Sequence, residues 1–450
     1  MAQLSEAIAS YHRLLGENGY CDFSWAQELQ DRMRDQGLMD SGRPVAPILR
    51  PQFILRCQLD CLTGATQRLA SILDRVETIV LESPTLLNRL QVLPAEKLLA
   101  SIPAGYARCS VIAGMDVKLQ NGSLSICGYQ TCKPKALAYS QLLADLFLDL
   151  SIVKSFKRGR YKLSKVGQPA HLTRAVLDVW KKWGGVRPPH VAVVEFRDAF
   201  GAHSNEGQLM AALFAESGLV SRLVSPDQLT YSNAKLRTED LDIDVVFRRF
   251  AASEFLARFD LSHPLLAAYR NHAFCMVNSL RSEIGCRRSL FELLTDGTLA
   301  ASLSCEDRQL IEAHVPWTRV VVGRKTDYKG REVDLLEFIR KNRQMLNLRP
   351  DQDTLDHRSY IGAGMTQTGW EGALRDALRG SYVVQERKCA GSEAVPIFRY
   401  GELQMREAEV RLHPQMLNGK LRGACAALET FSCGFATPLA TAPVLLLESA

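Results

Sequence analysis

The middle of the chain reads His190-Val191-Ala192-Val193-Val194-Glu195-Phe196, a short apolar run that is typical of a strand buried on both faces. An amphipathic helical pattern follows over 205–217, and two more apolar strands are predicted at 219–224 and 243–247. Strands that alternate with helices favour a layered fold with a parallel sheet. We therefore predict an α/β arrangement at the centre of the chain.

The sequence on either side of this centre predicts mixed α+β character. Residues 52–82 carry apolar side chains at helical spacing, and a helix is also predicted at 136–150. Two strands are predicted at 110–119 and 124–129, because Asn121-Gly122 between them is a strong hairpin signal. The last third has predicted helices at 288–294, 306–314, 332–340 and 368–378 and predicted strands at 318–322, 345–348 and 382–386.

These patterns divide the 450 residues into four regions. They are a helical N-terminal region over 1–104, a hairpin-and-helix region over 105–170, a central Rossmann-like βαβ subdomain over 171–280 and a C-terminal region over 281–450. The sequence contains neither G-x-G-x-x-G nor G-x4-G-K-[ST], which disfavours a standard dinucleotide-binding domain and a P-loop nucleotide site.

Composition and charge exclude several classes of protein. The chain is 46% hydrophobic and 23% charged, which excludes a disordered, collagenous or disulfide-dense chain. Its 55 basic and 49 acidic residues leave a formal net charge of +6, too mild to predict a nucleic-acid partner. The densest basic stretch, 154–165, is interpreted as a solvated edge that discourages strand mispairing, with phosphate binding as the alternative.

No membrane partner is predicted. No apolar run approaches the ~20 residues that a membrane-spanning helix needs. The first residues, Met1-Ala2-Gln3-Leu4-Ser5-Glu6, lack the basic and apolar regions of a secretory signal, so we expect a cytoplasmic protein.

The 12 cysteines show no paired spacing of the kind that marks a zinc site. In a cytoplasmic protein most of them are expected to be reduced, partly buried thiols. A cysteine-based metal or thiol protein stays as the lowest-ranked alternative.

Six segments in a fixed order point to one family. They are Asp244-Val245-Val246-Phe247-Arg248-Arg249, Val277-Asn278-Ser279-Leu280-Arg281-Ser282, His314-Val315-Pro316-Trp317-Thr318-Arg319, Asp334-Leu335-Leu336-Glu337-Phe338, Asn347-Leu348-Arg349-Pro350 and Tyr382-Val383-Val384-Gln385-Glu386. This order resembles the circularly permuted ATP-grasp proteins, relatives of the ligases of the glutathionylspermidine synthetase type. The resemblance runs from Arg50 to near the C-terminus and implies an ATP-grasp-like fold, in which 105–170 completes the core and 281–450 forms the lobes.

The family joins a carboxylate to an amine through an acyl phosphate. The resemblance therefore implies ATP and Mg2+ as cofactors, and a small-molecule or peptide carboxylate and an amine as substrates. Such chemistry needs cations on the triphosphate, oxygen ligands for the metal and a glycine-rich lid that excludes water. It implies neither a nucleic acid nor a membrane as a partner.

The metal positions implied by the resemblance are partly replaced. Asp116 occupies the position of the family's strand aspartate, and its expected partners fall on Gly128 and Gln130. The hairpin places these positions opposite Asp116, on one face. Asp116 and Gln130 are thus the predicted metal ligands, although glycine offers no carboxylate and the pair is a poor set for Mg2+.

The nucleotide positions implied by the resemblance are Arg288, Arg349, Gln385 and Glu386. Arginines replace the family's two lysines and keep the charge in a planar form. The segment 351–358, where the family has a glycine-rich lid, contains no glycine. Near the C-terminus, the family's asparagine and glycine run falls on Phe431-Ser432-Cys433-Gly434-Phe435, and Ala426 or a neighbour stands where an arginine is expected.

The predicted catalytic residues are Arg248, Arg249 and Arg281. The first two follow an apolar strand, and the carboxyl ends of strands are where open α/β sheets bind ligands. A guanidinium there suits a substrate carboxylate. The alternative for this pair is a salt bridge with Asp242 or Asp244.

Scaffold positions match the family, whereas the positions that carry the chemistry are mostly replaced. We therefore favour a divergent ATP-grasp protein that is catalytically impaired, or that has been repurposed for binding a ligand or a partner protein. The alternative is an active carboxylate–amine ligase that uses replacement ligands such as Asp116, Asp351, Asp353 or Glu386.

Overall fold

A computed structural model describes residues 2–17, 19–120, 122–353, 358–388 and 391–449. The helices are α1 (Ala2–Leu15), α2 (Ser24–Asp35), α3 (Arg56–Glu82), α4 (Pro84–Arg89), α5 (Pro94–Ser101), α6 (Tyr139–Asp149), α7 (Ser151–Gly159), α8 (Ala170–Trp183), α9 (Asn205–Glu216), α10 (Ala252–Leu256), α11 (Pro264–Arg270), α12 (Leu290–Thr295), α13 (Cys305–His314), α14 (Leu335–Lys341) and α15 (Gln367–Arg379).

The strands of the first half are short, apart from the predicted hairpin. They are β1 (Met39–Asp40), β2 (Arg43–Pro44), β3 (Gln52–Leu55), β4 (Ile112–Gln120), β5 (Ser123–Gln130), β6 (Tyr161–Lys165), β7 (Val191–Val194), β8 (Ser221–Val224), β9 (Thr230–Ser232), β10 (Lys235–Arg237), β11 (Asp242–Ile243) and β12 (Val245–Arg248). The second half contributes β13 (Cys275–Val277), β14 (Thr318–Val320), β15 (Lys325–Tyr328), β16 (Arg331–Asp334), β17 (Leu346–Pro350), β18 (Tyr360–Ile361), β19 (Tyr382–Glu386), β20 (Glu393–Arg399), β21 (Glu402–Leu417), β22 (Lys420–Ser432) and β23 (Phe435–Ser449).

Helix α3 follows the predicted apolar periodicity, and its buried stripe includes Leu62, Leu69 and Val76. The prediction was wrong at its start, because residues 52–55 form β3, which pairs in parallel with Val444–Leu447 of β23. A partner almost 400 residues away has no signal in the local pattern. Neither α3 nor any other helix in the described ranges has the length and apolar character needed to cross a bilayer.

The predicted hairpin is confirmed as β4 and β5. Asp116 faces Gly128 across the ladder and Gly114 faces Gln130, with a bulge between Asp116 and Val117. The predicted turn residue Asn121 lies outside the described residues. The hairpin occupies one end of a large sheet with the strand order β14-β19-β17-β18-β23-β22-β21-β4-β5, to which β20, β3 and β6 are also joined.

The parallel sheet predicted for the centre is confirmed. Its order is β13-β12-β7-β8, and all three pairings are parallel. Side chains of β7 alternate between two apolar clusters, since Val191 and Val193 pack into one and Ala192 and Val194 into the other. Burial on both faces explains the unbroken apolar run in the sequence.

A second difference from the sequence prediction concerns residues 332–340. The helix begins only at Leu335, because residues 331–334 form β16 and pair with β15. Residues 393–449, for which no strand was predicted, form four strands, and three of them are 13 to 16 residues long. Three of them, β21, β22 and β23, form the middle of the large sheet and connect the hairpin, through β18, to β17 and β19.

Most of the described cysteines are free thiols, as expected, and one pair is bonded. Cys132 and Cys286 form a disulfide across 154 residues of sequence, a separation that carries no local signal. Among the described cysteines the other nine are free thiols, including the exposed Cys57 and Cys61 on α3. Cys389 lies outside the described residues.

Candidate active site

The hairpin brings the two predicted metal residues into contact. The Nε2 atom of Gln130 donates to Oδ1 of Asp116 over 3.2 Å. Gly128 packs directly against the same carboxylate, since a Cβ atom built there would lie 2.6 Å from Asp116 Oδ2. The pair is therefore adjacent as predicted, but glutamine presents its amide N–H group, which cannot bind a cation.

An arginine and a histidine contact the Asp116 carboxylate. Nη2 of Arg349 lies 3.2 Å from Oδ2, and Nδ1 of His413 lies 3.1 Å from Oδ1. Burial of Asp116 opposes its ionisation, yet the hydrogen bond and charge of His413, with Arg411 and Arg349 nearby, hold the pKa of Asp116 well below its usual value. Asp116 is therefore an ionised carboxylate whose oxygens already have partners.

Arg349 connects β17 and β19, the two strands that carry three of the predicted nucleotide positions. Strands β17 and β19 are antiparallel neighbours, and Nη1 of Arg349 donates to Gln385 Oε1 at 3.2 Å and to the Cys127 carbonyl at 2.7 Å. Gln385 in turn donates through Nε2 to Thr318 Oγ1 over 3.1 Å. The contact with Cys127 extends the same network to the hairpin.

Arg288 lies just before α12 and binds the segment that follows β17. Its Nη1 donates to the Pro350 carbonyl at 2.6 Å, and its Nη2 donates to Asp353 Oδ1 at 2.7 Å. Burial disfavours the charged form of Arg288, but Asp353 and Asp116 raise its pKa above the usual value. The Asp353 side chain is 50% exposed, so this carboxylate faces solvent from the edge of the site.

Glu386, at the end of β19, contacts the β15–β16 hairpin. Its Oε1 accepts from the Tyr328 hydroxyl at 3.0 Å and from Lys329 Nζ at 2.9 Å. The β15–β16 hairpin therefore binds the end of β19, at the predicted nucleotide position Glu386.

Arg248 is saturated with hydrogen bonds. Its guanidinium donates to the carbonyls of Asn278, Phe250 and Ser279, to Ser282 Oγ and to Glu283, with which it forms an ion pair that is 0% exposed on both sides. A guanidinium has five N–H groups, and these five contacts use them. Arg248 in this arrangement supports the scaffold and has no donor left for a substrate.

Arg249 pairs with neither of the aspartates considered as alternatives. Its Nε lies 3.0 Å from Glu195 Oε2 and its Nη2 lies 3.1 Å from Glu206 Oε2. Asp242 is paired with Lys235 and Arg237, and Asp244 with Arg187. The salt-bridge alternative was therefore wrong about the partners, because the carboxylates come from the end of β7 and from α9.

The predicted catalytic arginines do not form one cluster with Asp116 and Arg349 through the contacts described. Arg281 lies beside Cys109, whose pKa burial raises to about 11. Arg248 is connected to the nucleotide segment indirectly, since Oε2 of its partner Glu283 accepts from Gln352 Nε2 at 3.4 Å. Their assignment to catalysis stays a prediction.

Sequence reasoning missed Arg411 and His413, which complete the surroundings of Asp116. Both are on β21, where Glu409, Arg411 and His413 alternate with apolar residues. Arg411 pairs with Glu429 on β22 at 2.7 Å. A charged residue at every second position in a strand indicates one polar face, and this signal could have identified them.

The donor set does not fit Mg2+. This ion prefers six oxygen ligands in near-octahedral geometry at ~2.0–2.1 Å. Asp116 is paired with an arginine and a histidine, and Asp351 accepts from the backbone N–H of Ser289 at 2.6 Å. Part of the predicted lid, 354–357, lies outside the described residues.

No protein-family model matches the sequence, and no curated protein matches it at a significant level. The fold is similar to that of a glutathione synthetase-like effector from Globodera pallida in its apo form, with a TM-score of 0.59, 11% identity and coverage of 96% of this chain and 95% of the other. A γ-glutamylcysteine synthetase-like protein from Methylobacillus flagellatus matches with a TM-score of 0.40 and 12% identity over 84% of this chain and 87% of its own. The second value is too low to support an argument.

The Globodera pallida match spans nearly the whole of both chains, so the likeness concerns the complete architecture. At 11% identity it establishes the fold alone. The large sheet and the parallel central sheet make this a mixed α/β fold, and the whole-length likeness identifies that fold as ATP-grasp-like.

Proposed function

We propose that this chain is a divergent, circularly permuted ATP-grasp protein of the carboxylate–amine ligase lineage that has lost Mg2+-dependent ligase chemistry and now binds a ligand or a partner protein. The observation that carries the proposal is the buried contact between Arg349 and Asp116 at 3.2 Å. The Arg349 guanidinium is paired with the carboxylate that, by the resemblance, would bind a metal ion.

Replacing this contact by a metal has a high energetic cost. A cation at Asp116 must displace Arg349 from a carboxylate that is 2% exposed, and Arg349 itself is 7% exposed. Removing one partner from a buried ion pair leaves the other charge without compensation, which costs ~3–5 kcal/mol. Gly128 offers no second carboxylate, so few new bonds would offset that loss.

The arginines that would hold the phosphates have acidic partners within the chain. Arg288 binds Asp353, and Arg349 binds Asp116. A nucleotide must therefore compete with carboxylates that are already in place. Without a metal to neutralise the charge that develops on the transferred phosphoryl group, transfer lacks its main electrostatic stabilisation.

The test is a calorimetric titration of the full chain with ATP, with and without Mg2+, combined with an assay of ATP hydrolysis. We expect weak or undetectable binding, no dependence on Mg2+ and no turnover. Arg349→Lys serves as the matched variant, because it retains the charge and removes the planar fork. Sustained ATP turnover coupled to amide formation on any acid–amine pair would overturn the proposal.

A second candidate function, an active ligase with replacement ligands, rests on Asp353. It is the half-exposed acid beside Arg288. Partial desolvation opposes its ionisation, but the charges of Arg288, Arg349 and Lys135 hold its pKa below the usual value, so it is ionised. If Asp353 binds the metal, Asp353→Asn abolishes Mg2+-dependent nucleotide binding. Glu332→Gln, which removes an exposed acid on β16, is the control and leaves that binding unchanged.

A further inference from the structure

The Cys132–Cys286 disulfide joins two segments that border the candidate site. Cys132 lies two residues after Gln130, at the end of β5, and Cys286 lies two residues before Arg288. Gln130 contacts Asp116, and Arg288 contacts Asp353. The disulfide therefore joins the hairpin that carries Asp116 and Gln130 to the segment that carries Arg288.

We propose that this disulfide is a reversible redox switch. When it is oxidised, it holds the hairpin of the candidate site against the segment around Arg288. The inference rests on the proposed function only in identifying the site that is regulated. In the oxidised form the hairpin and the segment around Arg288 are held together. In the reduced form only non-covalent contacts hold them.

Burial indicates the order of the thiol chemistry. Cys286 is partly exposed, whereas Cys132 is buried, so a small external disulfide reaches Cys286 first. The Cys286 thiolate attacks that disulfide, forms a mixed disulfide and releases one thiol. The Cys132 thiolate then attacks the Cys286 sulfur and releases the second thiol. Both protons pass to the leaving thiolates, two protein thiols are oxidised and one external disulfide is reduced.

Non-covalent contacts beside the disulfide make its reduction a local event. Thr131 Oγ1 donates to the Ser282 carbonyl at 2.5 Å, and Asn278 Nδ2 donates to the Thr131 carbonyl at 2.7 Å. Neither bond involves a sulfur atom, so neither is broken by the reduction itself. We therefore expect the two segments to loosen without unfolding of the chain.

A metal site is the competing interpretation of the same residues. Ligand atoms of Cys132, Glu283 and Cys286 lie within 4.8 Å of one another. Glu283, however, is ion-paired with Arg248, and both side chains are fully buried. A metal ion would have to share that carboxylate with a buried guanidinium, which disfavours binding.

The test uses the full chain equilibrated in mixtures of glutathione and its disulfide. Differential alkylation and mass spectrometry give the fraction of the Cys132–Cys286 bond, and hydrogen exchange reports on 123–135 and 280–290. We expect reversible conversion while the circular dichroism stays native, with exchange in both segments faster by roughly 3- to 10-fold in the reduced form. Cys286→Ser should exchange like the reduced protein in every mixture, and Cys57→Ser, at an exposed thiol on α3, should switch like the wild type.

The outcomes that overturn the switch are specific. They are a pair that stays reduced in all mixtures, a bond that persists until the chain unfolds, equal exchange in both forms, or stoichiometric zinc in the reduced protein. Because reduction of the wild type is measured directly, the test does not depend on folding of the variant. A parallel Mg-ATP titration separates the two proposals, since turnover by either form contradicts the proposed function and leaves the thiol result standing.

Discussion

Arg349 on β17 donates to Asp116 on β4 over 3.2 Å, and this contact joins two strands that are far apart in the order of the large sheet. The two strands approach at the face where the resemblance places a metal and a triphosphate. A guanidinium in this position supplies one fixed positive charge. It also supplies two directed donors, to Asp116 and to Gln385, that a hydrated metal ion would not reproduce.

The first prediction concerns the strength of this contact. Arg349→Met leaves Asp116 buried with one cationic partner fewer, and we expect the free energy of unfolding to fall by ~3–5 kcal/mol. Adding Asp116→Leu should recover part of the loss, giving a coupling energy above about 1 kcal/mol. Urea unfolding of the four proteins in the cycle measures it.

The control for this cycle is the exposed pair of Lys325 and Glu332, 71% and 69% exposed. Its cycle should give less than about 1 kcal/mol, because solvent screens the charges. A coupling energy at Arg349 no larger than that of the control would show that the buried contact is energetically irrelevant.

The second prediction concerns restoring the metal ligands. Gly128→Glu with Gln130→Asn supplies a carboxylate and a shorter amide, but the new Cβ lies 2.6 Å from Asp116 Oδ2, so the carboxylate must shift. We expect Mg2+ binding to improve by about tenfold, ~1.4 kcal/mol, only when Arg349→Ala is added. Titration with Mg2+ or Mn2+ measures the affinity, and Gln130→Asn alone is the control. Equal affinity with Arg349 present would show that the salt bridge does not block the site.

The third prediction concerns the dependence of stability on pH. Burial raises the pKa of Glu77 on α3 to about 8 from its ordinary 4.5, although Ser110 Oγ donates to both carboxylate oxygens at 2.8 and 2.9 Å. The folded state therefore holds this proton more tightly than the unfolded state does. Its contribution to stability is complete below the ordinary pKa and is lost as pH rises towards about 8.

Glu77→Gln should remove this part of the pH dependence, since the amide stays neutral. Guanidinium unfolding at several pH values across that window measures the slope for the variant and the wild type. Glu82→Gln, at an exposed position of the same helix, is the control and should retain the wild-type slope. If Glu77→Gln and the wild type show parallel curves, Glu77 does not hold a proton in the folded state.

The fourth prediction tests whether Arg248 stabilises the fold. Arg248→Ala removes five hydrogen bonds and leaves Glu283 buried without its partner, and we expect a loss of ~3–5 kcal/mol in the free energy of unfolding. Arg248→Lys should rescue little, because an ammonium cannot reproduce the planar fork. Thermal and urea unfolding measure both variants, and full stability of Arg248→Lys would contradict the assigned hydrogen bonds.

Several parts of the fold were predictable because their signals are local. The apolar run at 190–196 forms a strand buried on both faces, the stripe in 56–82 forms α3, and the two strands around residue 121 form a hairpin. The hairpin register alone predicts that Asp116 and Gln130 approach each other, and they do.

Other features had a weak local signal or none. Residues 393–449 alternate clearly only around 409–413 and are irregular elsewhere, so no strand was predicted there, yet cross-strand pairing makes β21, β22 and β23 the middle of the large sheet. Residues 52–55 continue a helical pattern and become a strand only because β23 lies beside them. In both cases the pairing partner, rather than local propensity, determines the structure.

For the site, the sequence by itself determined the residue types: an aspartate faced by glycine and glutamine, and arginines in place of lysines. The tertiary structure alone decided that Arg349 and His413 bind Asp116, that Arg248 is saturated by Glu283 and backbone carbonyls, and that Cys132 meets Cys286. The physical reason is distance along the chain. Apart from the bond to the Phe250 carbonyl, each of these contacts joins segments separated by 30 to 297 residues. Only the packing of strands and turns brings their charges and sulfurs together.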